Sequence, residues 1–165
     1  MSTWLVQGPS MEDTWSACTQ TLEGHRDCVH SITISPDSNW LASGSEKGVI
    51  KIWDFDTGAC RQTLERGFDT ITQLAISPDS NWLASSSGGG SIRIWDMATG
   101  ACIRTLETCC FTITRIAISS DGNWLTAISD DCSVAVWDMA TGEVTLKFYG
   151  QYEYSEDDYN FFKDN

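Results

Sequence analysis

Short apolar runs with a period of two alternate with turn residues along this chain. Ile32 and Ile34 flank Thr33, Leu74 and Ile76 flank Ala75, and Ile116 and Ile118 flank Ala117. Further along, Ile50 and Ile52 enclose Lys51, Ile92 and Ile94 enclose Arg93, and Val134 and Val136 enclose Ala135. Strict alternation over short stretches predicts β-strands rather than helices. The turns between them carry Pro36-Asp37-Ser38-Asn39 and Asp56-Thr57-Gly58, residues that favour reversals of the chain. The first unit therefore predicts strand a at 29–35, strand b at 40–45, strand c at 49–54 and strand d at about 60–64.

The same unit returns at a fixed step of 42 residues: Ile52-Trp53-Asp54 becomes Ile94-Trp95-Asp96 and then Val136-Trp137-Asp138. Ser35 to Ser43 is repeated letter for letter from Ser77 to Ser85, with a looser copy from Ser119 to Ala127. A period of about 40–45 residues ending in Trp-Asp is that of a four-stranded propeller blade. Blades are predicted at about 24–65, 66–107 and 108–149, between an arm at 1–16 and a tail at 150–165. Ala17 to Glu23 aligns with Ala59 to Glu65, which predicts one further d strand at 17–23 without a, b or c strands of its own. The expected fold is all-β, a partial β-propeller of three four-stranded antiparallel blades plus this lone N-terminal d strand. Propellers close with roughly 4–8 blades. Three would expose two blade faces, so weak stability or self-association through the lone d strand is expected.

Charge narrows the function. A formal charge of −13 argues against nucleic acid and against anionic membrane surfaces as partners, because phosphate contacts need Lys and Arg. The tail holds Glu153, Glu156, Asp157, Asp158 and Asp164 against Lys163 alone, and reads as a solvated, disordered terminus. The first residues lack a basic segment followed by an apolar one, and no long apolar run occurs, so neither a signal peptide nor direct membrane insertion is expected. Seven cysteines is an odd number, and Cys18, Cys60 and Cys102 share one repeat position. That is repeat register rather than a disulfide framework, and it implies a reducing, cytoplasmic setting, peripheral to an organelle only through a partner.

These residues, from about Ala17 to Phe148, resemble the WD-repeat (Trp-Asp) β-propeller family. The resemblance implies a hydrogen-bonded tetrad in each blade, made of a His, a strand-b Ser or Thr, an Asp of the b–c turn and the strand-c Trp. Blade one supplies His25, Ser43 or Ser45, and Trp53, with Lys47 in the Asp position. Blade two supplies Ser85 or Ser87 and Trp95, with Gly67 and Gly89 for His and Asp. Blade three supplies Ser129, Asp131 and Trp137, with Cys109 for His. No blade keeps all four. The resemblance also implies that partners meet the narrow top face, where strand a begins and the b–c turn approaches. Residues that vary there while the scaffold repeats are Arg26, Cys28, His30 and Glu46; Asp69, Thr70, Thr72 and Gly88; and Thr112, Thr114, Arg115 and Asp130.

The N-terminus adds a narrower likeness. Trp4, Pro9, Met11-Glu12-Asp13, Trp15-Ser16-Ala17-Cys18 and Gln20 to His25 resemble the junction at which fungal NACHT–WD-repeat sensor ATPases pass into their propeller. Those proteins resemble receptors of innate immunity or heterokaryon incompatibility. A phosphate-binding G-x-x-x-x-G-K-[ST] loop does not occur in the sequence, so nucleotide binding does not carry over.

Candidate chemistry is sparse. Cys18, His25, Cys28 and His30 lack the paired spacing of a structural zinc site. Cys109-Cys110 has only Arg104 and Arg115 near it in sequence, and no helix to lower a thiol pKa. Ser87-Gly88-Gly89-Gly90 precedes a strand rather than a helix, so it reads as a b–c turn and not a phosphate loop. Two histidines and no G-x-S-x-G elbow give no basis for nucleophilic catalysis. Trp40, Trp82 and Trp124, like the strand-c tryptophans, are expected in the core, whereas Trp4 and Trp15 fall outside the pattern. The expectation is a non-enzymatic scaffold or adaptor without cofactor, binding a protein or peptide and able to self-associate through exposed blade edges. The alternatives are a ligand-sensing propeller of a NACHT-type ATPase and a mitochondrial-fission-type adaptor.

Overall fold

The computed structural model describes residues 20–65, 69–108 and 112–148. The arm 1–16, residues Ala17 to Thr19, Gly67, Cys109, Cys110 and the tail 150–165 lie outside the described residues. Twelve strands follow in chain order. The first sheet is β1 (Val29–Ile34), β2 (Trp40–Ser45), β3 (Val49–Asp54) and β4 (Cys60–Glu65). The second is β5 (Ile71–Ile76), β6 (Trp82–Ser87), β7 (Ser91–Asp96) and β8 (Cys102–Glu107). The third is β9 (Ile113–Ile118), β10 (Trp124–Ser129), β11 (Val134–Asp138) and β12 (Val144–Phe148). Each sheet is a four-stranded antiparallel meander in sequence order, and together they form an arc of a β-propeller.

Turn chemistry sets the register. Asp79 accepts the Asn81 backbone N–H at 3.1 Å and the Ser77 hydroxyl at 2.6 Å, which closes the β5–β6 turn. Asp121 repeats this with Asn123 and Ser119 between β9 and β10. Asp96 accepts the Thr99 N–H and hydroxyl at 2.7 Å each, closing the β7–β8 turn onto Gly100, whose φ of 71° is natural for glycine. Trp40 consequently pairs with Asp54, Trp82 with Asp96 and Trp124 with Asp138, the same register in all three sheets.

The core lies between the sheets. Ala42, Ile50, Ile52 and Leu64 of the first pack against Ile71, Leu74 and Trp95 of the second. Ala84, Ile92, Ile94 and Leu106 of the second pack against Ile113, Ile116 and Trp137 of the third. Burial therefore depends on having a neighbour, and three expectations change for that reason. Ile32 and Ile34, equivalent to buried Leu74 and half-buried Ile76, are 64% and 54% exposed, because no described sheet covers that side of β1. Trp124 is 39% exposed where Trp40 is 6%, since β10 is the last such strand.

The expected lone strand is the third. Gln20 to Glu23 is irregular and belongs to none of the three sheets, because a ladder needs a c strand beside it. The segment nevertheless takes the d position in space. Gln20 and Leu22 lie against Gly58 as Gln62 and Leu64 lie against Gly100.

Candidate interaction face and the indole network

The strand-c indoles are anchored unequally. Trp53 Nε1 donates to Ser43 Oγ at 2.8 Å, and His25 Nε2 meets the same oxygen at 2.6 Å. In the second blade Trp95 Nε1 donates to Ser85 Oγ at 2.9 Å. Ser45 and Ser87 do different work: Ser45 donates to the Val49 carbonyl, and Ser87 bonds Ser91, both across the b–c turn. Ser129 belongs to this second position, bonding Asp131 at 2.6 Å and Ser133 at 2.5 Å. It does not serve Trp137, and the residue in register with Ser43 and Ser85 is Ala127, which has no hydroxyl.

His25 lies tilted beside the Trp53 ring, with centroids 6.1 Å apart. Burial lowers its pKa below the usual 6.5, the Lys51 charge lowers it further, and Ser43 and Asp27 oppose them. Lys47, which stands where the resemblance implies an Asp, turns outward to pair with Asp27 at 2.6 Å. That pair was not anticipated from the sequence. The second blade has Gly89 near Asp69 at the corresponding place, so the acid keeps its position while the cation is missing.

At the loop end of each blade, the start of strand a is tied to the b–c turn by one backbone bond. Glu46 N–H donates to Cys28 C=O at 2.9 Å, Gly88 N–H to Thr70 C=O at 2.9 Å, and Asp130 N–H to Thr112 C=O at 3.0 Å. These bonds bring six of the expected surface residues together in three equivalent pairs. Arg26, Cys28, His30, Glu46, Asp69, Arg115 and Asp130 are exposed, whereas Thr70, Thr72 and Thr112 are half-buried. Thr72 spends its hydroxyl on Ser86 at 2.8 Å, and the exposed Thr114 donates to the Ile128 carbonyl at 3.1 Å. Among the described residues no three His, Cys, Asp or Glu side chains gather as metal ligands, and His25 is engaged with Ser43. A pocket of about 320 Å³ opens away from this end, at the seam of the first two blades, lined by Trp40, Ile52, Arg61, Gln62, Met97 and Ala98. Arg61 there is committed to Asp54. No described helix is long and apolar enough to cross a membrane.

Three consecutive segments, residues 16–54, 58–96 and 100–138, match the family model "WD domain, G-beta repeat". The chain belongs to the WD-repeat family. Of the expected tetrad residues, His25, Ser43 and Trp53 are bonded together in the first blade, and Ser85 and Trp95 in the second. Among curated proteins it is 47% identical over 55 residues to vegetative incompatibility protein HET-E-1 of Podospora anserina, covering 33% of this chain and 4% of that protein. It is 43% identical over 49 residues to transcriptional repressor tup12 of Schizosaccharomyces pombe, covering 30% of this chain and 8% of that one. The chain thus spans a small fraction of the WD-repeat relatives it matches. Among solved structures, the RRP9 WD40 repeats superpose with a TM-score of 0.75 at 23% identity, covering 79% of this chain and 41% of that one. That likeness concerns the fold.

Proposed function

We propose that this chain is a non-catalytic WD-repeat scaffold that holds a protein or peptide at the loop end of its blades. The observation that carries the reading is the contrast between repeated and varied positions. The strand-c indoles and the turn aspartates recur and are consumed by packing and turns. The tied pairs Cys28/Glu46, Thr70/Gly88 and Thr112/Asp130 differ from blade to blade on one shared framework. A rigid frame carrying variable loops is a binding architecture. The proposed setting is the cytoplasm.

A second reading has its own support. Similarity to a vegetative incompatibility protein favours a ligand-sensing role, in which the same loop end reads a ligand for a signalling ATPase. Both readings use the same face. A photo-crosslinking residue placed at His30 or Asp69 in the full chain, and separately at Asp37 or Asp121 at the opposite end, tests them. One discrete adduct from the first two positions and none from the others is expected. Adducts from both ends alike, or none from the loop end, contradict the proposal.

A further inference from the structure

The loop end of the first blade is held differently from the other two. In blades two and three the ties run in one line. Gly88 N–H donates to Thr70 C=O at 2.9 Å, and Asp130 N–H donates to Thr112 C=O at 3.0 Å. The Thr112 hydroxyl joins these two ties by donating across the seam to Gly88 C=O at 3.3 Å. Among the described residues, Thr70 makes no equivalent bond to Glu46 of the first blade. The first lip, residues 24–28 against the turn at Glu46, therefore hangs on the Glu46 N–H to Cys28 C=O bond and on whatever fixes residues 24–28.

His25 fixes them. Gly24, at a φ of 154°, brings the chain against the Trp53 indole, where an added Cβ would lie 3.2 Å from Cη2. His25 Nε2 then meets Ser43 Oγ at 2.6 Å. That oxygen already accepts the Trp53 N–H at 2.8 Å, and among the described residues its own proton has Nε2 as its acceptor. The hydrogen bonds thus assign a neutral imidazole, accepting at Nε2 and carrying its proton on Nδ1.

Protonation removes that acceptor. Ser43 is 5% exposed, so its hydroxyl is left without a partner in a buried place. The new charge also faces Lys51 of β3, which Thr63 holds in position at 3.1 Å. The acid facing the ring is Asp27, and Lys47 already holds it at 2.6 Å. Burial and Lys51 outweigh the Ser43 backbone and Asp27, and the ring's pKa lies below 6.5. The positions equivalent to His25 are Gly67 and Cys109, so the other two blades carry no imidazole there.

We propose that His25 is an acid-released latch on the lip of the first blade. Neutral, it clamps residues 24–28 to the blade. Protonated, it lets go of Ser43 and the Cys28–Glu46 bond opens, while the loop ends of blades two and three stay tied. The latch rests on bonds within the first blade and is read without a partner, so it stands or falls separately from the loop-end binding proposed above. For that binding it means that acid withdraws the first blade's share of the face.

Amide exchange resolved by NMR in the full chain from pH 7.5 to 4.5 tests it, with protection corrected for the intrinsic rate at each pH. The range stays above 3.8, where loss of the turn aspartates begins. Glu46 should lose protection along His25's own titration, followed by imidazole NMR. Gly88 and Asp130, exchanging through their own local openings, should keep theirs. The loss at Glu46, in powers of ten, should equal the gap between 6.5 and the midpoint measured for His25, because opening and protonation are linked. His25→Gln should make Glu46 protection independent of pH over this range, and Lys51→Met should raise the midpoint and shrink the loss. Circular dichroism checks folding, and Lys51→Met carries the comparison should His25→Gln unfold. Glu46 protection that stays flat across the His25 titration overturns the proposal. So does a loss shared equally by Gly88 and Asp130, which would mean that all three blades loosen together in acid.

Discussion

Ser43 and Ser45 are two residues apart on one strand and point to the same side, so the sequence left either able to receive the Trp53 indole. The structure separates them by reach, assigning Ser43 to the indole and Ser45 to the turn. The same distinction could be drawn at Ala127 only once that division of labour was known. Ser43→Ala should cost about 1–3 kcal/mol by leaving a buried indole N–H without its acceptor, read as a lower urea midpoint. Ala127→Ser should add about 0.5–1.5 kcal/mol by placing a hydroxyl where Ser43 and Ser85 receive the indoles of the other two blades. His25 sets a pH dependence. Its folded pKa lies below 6.5, so its stabilising effect is complete above that pH. As pH falls below 6.5 the unfolded chain takes up the proton more readily, and stability declines until the folded histidine is protonated too. Thermal unfolding from pH 7.5 to 5 should show the decline in wild type and lose it in His25→Gln.

Strands were the legible elements. Alternation, Asp-centred turns and a constant step fixed their order and nearly every boundary, because each signal is local. The segment at Gln20 to Glu23 takes the d position without joining a ladder, because strand pairing depends on a partner strand, which a single repeat unit cannot report. The turns themselves carry two predictions. Asp54 is held down to about 2 by the Thr57 backbone N–H and hydroxyl, with Arg61 adding to this. Asp37, Asp79, Asp96 and Asp121 are lowered by similar turn bonds. Their stabilising effect is complete above the ordinary carboxylate value of 3.8 and is lost as pH falls from there toward 2. Acid titration followed by circular dichroism should place the collapse in that window. A Cβ at Gly88 would meet only Thr70, at an ordinary contact distance of 4.0 Å, the residue has no left-handed φ, and Glu46 and Asp130 hold its place elsewhere. Gly88→Ala should therefore stabilise by about 0.4–1 kcal/mol through the unfolded chain, as a higher melting temperature.

At the scale of the molecule, the period implied a propeller, and the arc with two open faces follows from counting blades. What periodicity hid was the gradient of burial. Equivalent residues occupy equivalent strands, yet Leu74 is 7% exposed and Ile32 64%, because burial belongs to the pair of blades and not to the repeat. The middle blade is covered on both sides, and Trp95→Ala, at a residue 3% exposed in the seam with the first blade, should cost about 3–5 kcal/mol and loosen that seam. The face-to-face stacking of blades is the central claim. Amide hydrogen exchange of the full chain tests it most directly. Protection should be highest in β6 and β7, which are packed on both sides, and lowest in β1 and β12. Uniform protection across the three blades would contradict it.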